Sequence, residues 1–151
     1  MAVTEEHVLK ALAPCGLSCE KCFAYNEGII AKHARALRER LGNFDVYAQR
    51  FTKLGLTQFE NWKAFKELLE YLASGDCLGC RQGTCKWPNC GVVECYKTKK
   101  MRFCFECPEF PCKKTNFDPH LEARWIAMNE RMKEIGPVAY YEETRDQPRY
   151  R

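Results

Sequence analysis

Hydrophobic residues recur at helical spacing in four stretches of this chain, about residues 4–12, 27–41, 58–73 and 119–135. The stripe of the second stretch is formed by Ile30, Ala34, Leu37 and Leu41. The third stripe is formed by Phe59, Trp62, Phe65, Leu69 and Leu72, and the fourth by Leu121, Trp125, Met128, Met132 and Ile135. This spacing predicts amphipathic helices whose apolar faces form a core rather than a cofactor site.

Residues that favour helix starts and ends stand beside these stretches. Thr4, Asn26 and Asp118 are N-cap candidates, and residues 57–60 have the order of a capping box. Gly42 and the pair at 136–137 are expected to end helices. Shorter helices are predicted at 44–51 and 92–99. The sequence therefore predicts a mainly α protein, a small helical domain with little or no β-sheet.

Residues 76–115 differ from the rest of the chain because they are rich in Cys, Gly, Pro and Lys and show no sustained periodicity. Apolar burial alone does not order such a segment, whereas structural zinc contributes about 10–16 kcal/mol to the folding of small peptides. We expect an irregular, metal-knit segment inside a single domain, 1–151. The other parts are an N-terminal cysteine loop (13–25), a helical body (26–75), a C-terminal helical part (116–143) and a frayed tail (144–151).

The chain contains eleven cysteines, an odd count that does not suit a disulfide framework. Its polar N-terminus lacks the basic and apolar regions of a signal peptide, and no apolar run is long enough to span a membrane. We therefore expect a cytoplasmic location, where thiols stay reduced, and metal binding in preference to disulfides.

The spacing of the cysteines suggests how they are grouped. Two CxxC pairs, Cys77/Cys80 and Cys104/Cys107, place two thiolates on one turn each, and we expect all four to converge on one ion. A second centre is expected at the N-terminal loop, formed by Cys15, Cys19 and Cys22 with Cys112 or Cys95 as fourth ligand. Cysteine-only ligation suits zinc and also an iron–sulfur cluster, [4Fe–4S], which stays the alternative.

Charge bears on a third alternative, nucleic-acid binding. Eight basic and three acidic residues lie between Cys77 and Lys114, a net charge of +5, while the whole chain carries +4. Two divalent ions, each held by four thiolates, would bring this segment to about +1. The excess of basic residues is thus explained if they neutralise the negative charge of the metal sites. The rival interpretation is a nucleic-acid surface from Lys97 to Arg102, with Trp87, Tyr96 or Phe103 available for stacking.

The order of the cysteine motifs resembles an uncharacterised cysteine-rich family of bacterial and archaeal proteins, known as a domain of unknown function and regarded as zinc-binding. The resemblance rests on the CGLxCxxC opening at Cys15, the CxGC motif at Cys77 and the CxxCxxFPC motif at Cys104, and covers about residues 13–140. It implies metal ligation by Cys15, Cys19, Cys22, Cys77, Cys80, Cys90, Cys95, Cys104, Cys107 and Cys112. Cys85 looks like an addition in this chain, and a ligand role for it or for His120 stays open.

The sequence indicates a zinc-binding protein of uncharacterised role, a structural or interaction module. An iron–sulfur redox or sensor protein and a nucleic-acid-binding module are the alternatives. The three histidines stand outside any catalytic motif, so a non-enzymatic role is favoured and the question of catalysis stays open. The sequence names no substrate, and it leaves a protein partner open.

Overall fold

A computed structural model describes residues 2–151, and in that range the chain forms seven α-helices and no β-strand. The helices are α1 (Glu5–Ala11), α2 (Ile29–Leu41), α3 (Phe44–Lys53), α4 (Trp62–Ser74), α5 (Gly91–Lys99), α6 (Pro119–Ile135) and α7 (Pro137–Thr144). Short 3-10 turns cover Thr57–Asn61, Cys80–Gln82 and Cys104–Glu106. The predicted mainly α fold is confirmed.

Two of the predicted caps form and a third does not. Thr4 accepts a hydrogen bond from the His7 backbone N–H at 3.2 Å, and Asp118 accepts one from that of Leu121 at 2.8 Å. The prediction for Asn26 is wrong, since α2 begins after Gly28 without a side-chain cap. Asn26 instead accepts from the Arg35 guanidinium at 2.7 Å, which fixes the loop against the side of α2.

The third predicted helix begins later than expected. Residues 57–61 form a 3-10 turn without a side-chain cap, and regular α-helix starts only at Trp62. The ring of Phe59 packs 5.6 Å from that of Phe44 and 5.4 Å from that of Phe51. This aromatic cluster accounts for the tighter turn, because it draws residue 59 onto α3.

Helix α7 was not predicted as a separate element. Pro137, expected to stop α6, occupies the first turn of the next helix, where its missing N–H is not needed. Gly136 has φ 86°, a conformation open to glycine, and it redirects the chain between α6 and α7. Tyr140 and Tyr141 of α7 are buried against α1 and α6.

The helices form two groups with separate apolar contacts. Helices α1, α6 and α7 share a core with the loop residue Phe103, in which Val8 and Met132 are fully buried. Helices α2 and α4 pack through Ala34, Leu69 and Ala73. Arg35 connects α2 to the end of α4 by donating to the Ala73 carbonyl at 2.9 Å. The cysteine-rich segment follows α4 and ends at α6.

The C-terminal residues, where we expected a frayed tail, lie against the N-terminal cysteine loop. The Lys21 ammonium donates to the backbone carbonyls of Thr144 and Gln147, each at 2.8 Å. The Tyr150 hydroxyl accepts from the Phe23 backbone N–H at 3.0 Å. These bonds satisfy backbone carbonyls at and just beyond the end of α7. The charged, proline-containing sequence of the tail does not predict them.

Within residues 2–151, no helix combines the length and the apolar character that crossing a membrane requires.

Candidate metal centre

All eleven cysteines are free, and each lines one of two cavities. The larger cavity, of about 500 Å³, is lined by Cys15, Cys19, Cys22, Cys77, Cys80, Cys85 and Cys90, called here the cavity thiol group. The smaller, of about 30 Å³, is lined by Cys95, Cys104, Cys107 and Cys112, called here the α5 thiol group. Among residues 2–151, no three or more Cys, His, Asp or Glu side chains already stand in the geometry of metal ligands.

The α5 thiol group is assembled from one helix and one loop. Cys95 projects from α5, and Cys104 and Cys107 flank a tight turn in which the Cys107 N–H donates to the Cys104 carbonyl at 3.0 Å. The chain then returns to the start of α5, where the Gly91 N–H donates to the Thr115 carbonyl at 3.2 Å. This return brings Cys112 to the same cavity.

Gly91 is required for that return. A Cβ atom at this position would lie 1.7 Å from the carbonyl oxygen of Lys114, a distance no pair of atoms tolerates. The absence of a side chain lets the loop pass directly over the first turn of α5. The backbone packing that closes the smaller cavity therefore depends on a glycine.

Two N–H donors face sulfurs of the α5 thiol group. The Lys99 ammonium lies 3.4 Å from the Cys107 sulfur. The indole N–H of Trp125 is buried and completes no hydrogen bond of strict geometry, but it points toward the Cys104 sulfur. Burial raises the pKa of Cys104 to about 11, and the Trp125 N–H acts in the opposite direction. An otherwise unsatisfied indole beside a thiol fits a site in which that sulfur is a thiolate.

Four members of the cavity thiol group shift one another's pKa values. Hydrogen bonding with Cys19 and Cys85 raises the pKa of Cys80, and hydrogen bonding with Cys85 raises the pKa of Cys90. The same interactions lower the pKa values of Cys19 and Cys85. Cys19 belongs to the N-terminal loop, and the other three lie between α4 and α5.

The remaining three members of the cavity thiol group have different surroundings. Cys15 is buried in the apolar cluster of Trp125 and Val92, and burial raises its pKa to about 12. The Cys77 sulfur lies 3.5 Å from the Thr84 hydroxyl and accepts from the Gly79 N–H at 3.4 Å. Cys22 is partly exposed, where the C-terminal residues meet the cavity.

The two CxxC pairs, which we expected to converge on one ion, line different cavities. Cys77 and Cys80 face the larger cavity, whereas Cys104 and Cys107 face the smaller one. The two residues proposed to complete the N-terminal centre, Cys95 and Cys112, belong to the α5 thiol group instead. The N-terminal loop does meet the second run of cysteines, since the Cys77 N–H donates to the Ala24 carbonyl at 3.0 Å and the Cys104 N–H to the Pro14 carbonyl at 2.9 Å.

Cys85, an addition to the motif pattern, lines the larger cavity together with Cys80 and Cys90. Cys85 is five residues from both Cys80 and Cys90, and this regular spacing is the sequence signal that groups the three residues. His120 is exposed at the rim of the larger cavity.

The basic residues near α5 are largely paired within the protein. Arg102 bonds to Glu106 and Glu5, and Lys99 and Lys114 both bond to Glu109. The aromatic residues proposed for stacking are engaged as well. Phe103 is 1% exposed, and the Arg81 guanidinium lies over the Tyr96 ring at 5.3 Å. The Trp87 indole donates to the Asn116 carbonyl at 2.9 Å.

A family model matches most of the chain. The family model described as "Protein of unknown function (DUF3795)" matches residues 11–117, which include all eleven cysteines and both cavities' thiols. No curated protein and no solved structure matches the chain.

Proposed function

The chain belongs to the DUF3795 family of proteins of unknown function, and on that premise we propose that it is a metal-binding protein. The α5 thiol group holds one zinc ion in a closed, structural site. Its ligands are Cys95, Cys104, Cys107 and Cys112. The role of the site is to fix the loop 100–116 against α5 and α6.

The observation that carries this proposal is the convergence of four thiols on a cavity of about 30 Å³. A cavity of that size has room for about one small ion or water. Zinc bound by four thiolates is tetrahedral, with zinc–sulfur distances of about 2.3 Å. A [4Fe–4S] cluster would place four irons and four sulfides between the same sulfurs, and so needs far more space.

The donors around the sulfurs support thiolate ligands. The Lys99 ammonium near Cys107 and the Trp125 indole near Cys104 both favour negative charge on sulfur. Residues that hydrogen-bond to metal ligands commonly orient them and tune affinity. Four protein ligands would fill the tetrahedral coordination of zinc and leave no position for a substrate. Such a site favours a structural over a catalytic ion.

The loop itself explains why an ion is useful. Residues 100–116 contain one 3-10 turn and otherwise irregular backbone. Structural zinc contributes about 10–16 kcal/mol in small peptides, which is comparable to the stability of an entire domain, about 5–15 kcal/mol. A bound ion would therefore decide whether this loop is ordered.

Elemental analysis and a visible spectrum of anaerobically purified protein test the proposal. We expect bound zinc, no broad iron–sulfur absorption, and loss of one zinc equivalent in Cys107→Ser. Lys97→Ala, an exposed change on the same helix, is the matched control and should retain full metal. Protein without metal, or Cys107→Ser with undiminished metal, contradicts the proposal. Iron and sulfide in place of zinc would establish the cluster alternative.

A further inference from the structure

We propose that the larger cavity binds a small organic oxyanion, a carboxylate or phosphate group carried on a flat apolar body. This site is distinct from the zinc site proposed above, which lies in the smaller cavity, and neither depends on the other. Three features of the larger cavity support an oxyanion ligand: its volume, its apolar walls and the arginines that line it, Arg124, Arg149 and Arg151.

The larger cavity has the size and the walls of a small-molecule site. Its volume of about 500 Å³ falls within the range of about 300–1,000 Å³ that such sites occupy. Aromatic and aliphatic side chains line it, among them Phe23, Trp87, Phe117 and Leu121. The thiols that complete the walls are only weakly polar. These surfaces suit an apolar ligand body.

The aromatic side chains on the walls favour a flat ligand. The Trp87 and Phe117 rings meet edge to face, with centroids 6.0 Å apart. The Trp87 indole N–H is already donated to the Asn116 carbonyl at 2.9 Å, so the part of Trp87 that lines the cavity acts as an apolar surface. Flat rings pack well against aromatic rings of this kind.

Three guanidinium groups line the cavity without a carboxylate partner. None of them forms an ion pair with a carboxylate of residues 2–151. Each donates to a neutral oxygen instead, Arg124 to the Arg149 carbonyl, Arg149 to the Ser18 carbonyl and Arg151 to the Gln147 amide. A guanidinium has five N–H donors in a planar fork that matches a carboxylate or a phosphate. Donors therefore remain for an oxyanion.

The three positive charges lie close enough to affect one another. Partial burial lowers the pKa of Arg124, and the charges of Arg149 and Arg151 lower it further. The Asp118 carboxylate, on the wall of the same cavity, accepts from the Leu121 N–H as the cap of α6. Like charges that are partly removed from water are stabilised when an anion meets them. An oxyanion among the three arginines would provide that charge.

Contacts with the rest of the fold hold these arginines at the cavity. Arg124 belongs to α6, and its bond to the Arg149 carbonyl is 2.5 Å long. The Tyr150 hydroxyl accepts from the Phe23 backbone N–H at 3.0 Å, which ties the C-terminal residues to the N-terminal loop. The charged wall is thus assembled before a ligand arrives, as a specific site requires.

Calorimetric titration with three probes of similar shape tests this site: naphthoate, naphthyl phosphate and the neutral naphthalenemethanol. We expect the preferred anion to bind at least about tenfold more tightly than the neutral probe, because hydrogen bonds to charged groups contribute that much. The preferred anion distinguishes a carboxylate from a phosphate ligand. Equal affinities of the three probes would show that the arginines only balance charge within the protein. That result, or no measurable binding of any probe, overturns the inference.

Variants of the arginines separate the anion site from the apolar walls. Arg149→Gln should weaken binding of the preferred anion about tenfold and leave the affinity for naphthalenemethanol unchanged. Arg145→Gln is the matched control, since Arg145 belongs to the same C-terminal segment but pairs with Asp146 and does not line the cavity. Circular dichroism checks that the variants are folded. Undiminished anion affinity in both Arg149→Gln and Arg124→Gln overturns the inference.

A measurement on the natural protein locates the ligand without any variant. The preferred anion should slow alkylation of the cavity thiol group and tryptic cleavage after Arg149, because a ligand in the cavity covers both. Anion binding that protects neither would place the ligand elsewhere and overturns the inference. The zinc content of the same samples reports on the α5 thiol group. Zinc without anion binding would therefore leave the proposed function intact, and anion binding without zinc would remove that function alone.

Discussion

Asn129 of α6 donates a hydrogen bond from its side-chain amide to the backbone carbonyl of Cys15 at 2.8 Å. The amide oxygen of the same side chain accepts from the Phe105 backbone N–H at 3.0 Å. Asn129 is fully buried, and it joins the loop that carries the N-terminal cysteines to the turn between Cys104 and Cys107. This side chain, together with the bond from the Cys104 N–H to the Pro14 carbonyl at 2.9 Å, fixes the relative position of the two thiol groups.

Replacing Asn129 by Ala should destabilise the protein by about 1–3 kcal/mol, because the Cys15 carbonyl and the Phe105 N–H lose a buried partner. Urea unfolding measures the change. Asn61→Ala is a suitable control, since Asn61 is exposed and caps no helix with its side chain, and its effect should stay within about 0.5 kcal/mol. Equal stabilities of the two variants would show that the Asn129 bridge is unimportant.

Replacing Trp125 by Phe should weaken zinc binding by the α5 thiol group about 10–100-fold, because the N–H that favours the Cys104 thiolate is lost. Competition with a chromophoric chelator measures the affinity. Trp62→Phe removes an indole hydrogen bond to Asp45, of 2.8 Å, on the other helical group. That control should lower stability and leave zinc affinity unchanged; an unchanged affinity in Trp125→Phe would refute the role given to its N–H.

Replacing Gly91 by Ala should displace the loop at Lys114 from the start of α5, because the added carbon would overlap the Lys114 carbonyl oxygen. Cys112 then moves away from Cys95, and we expect the α5 thiol group to lose its zinc. Metal analysis and limited proteolysis of residues 100–116 follow the change. Glu94→Ala, an exposed change in the same helix, should leave both unaltered. Full zinc retention in Gly91→Ala would contradict the tight return described above.

Acid should remove a stabilising contact between α3 and α4. The Asp45 carboxylate accepts from the Lys66 ammonium at 2.6 Å and from the Trp62 indole, and these bonds lower its pKa from 3.8. A lowered pKa stabilises the fold above pH 3.8, and this contribution disappears as the pH falls below that value.

The comparison of Asp45→Asn with the natural protein tests this pH dependence. The natural protein should be the more stable of the two near neutral pH, and the difference should shrink as the pH falls below 3.8. Asp146→Asn, a change at a highly exposed side chain, is the matched control. A difference that is constant with pH would exclude a charged role for Asp45.

Duplex DNA should bind weakly. Lys99 and Arg102, at the centre of the basic segment, form ion pairs with Glu109 and Glu106. Few basic side chains therefore remain to bind DNA phosphates and release their counterions. Changing Lys99 and Lys100 to Ala should therefore leave the salt dependence of DNA binding unchanged. A log–log salt slope that decreases by about two in this variant would indicate two phosphate contacts and a genuine nucleic-acid surface.

Local signals in the sequence predicted most of the helices, because apolar spacing and caps act within a few residues. The bounds of α6 and the Asp118 cap follow from such signals. The later start of α4 could not be predicted, since it depends on Phe59 meeting Phe44 across a turn. Helix α7 is short, and its Pro137 is compatible with either the end or the start of a helix.

The sequence does not predict how the cysteines are divided between the two cavities, and the reason is different. Spacing suggests which thiols share a turn, as it does for Cys104 and Cys107. It does not specify which distant turns meet. Cys19 and Cys80, 61 residues apart in the chain, line the same cavity because backbone bonds between residues 24–26 and Cys77 hold their two loops together. Motif order therefore does not predict which thiols lie together.

The placement of Arg149 and Tyr150 beside the N-terminal cysteines has a consequence for biosynthesis. The α5 thiol group lies within residues 95–112, and its cavity is complete once Trp125 of α6 has been made. The larger cavity takes part of its wall from residues 149–151, and Tyr150 is hydrogen-bonded to the Phe23 backbone. Its thiols therefore stay accessible until residues 149–151 have been made and complete the wall of that cavity.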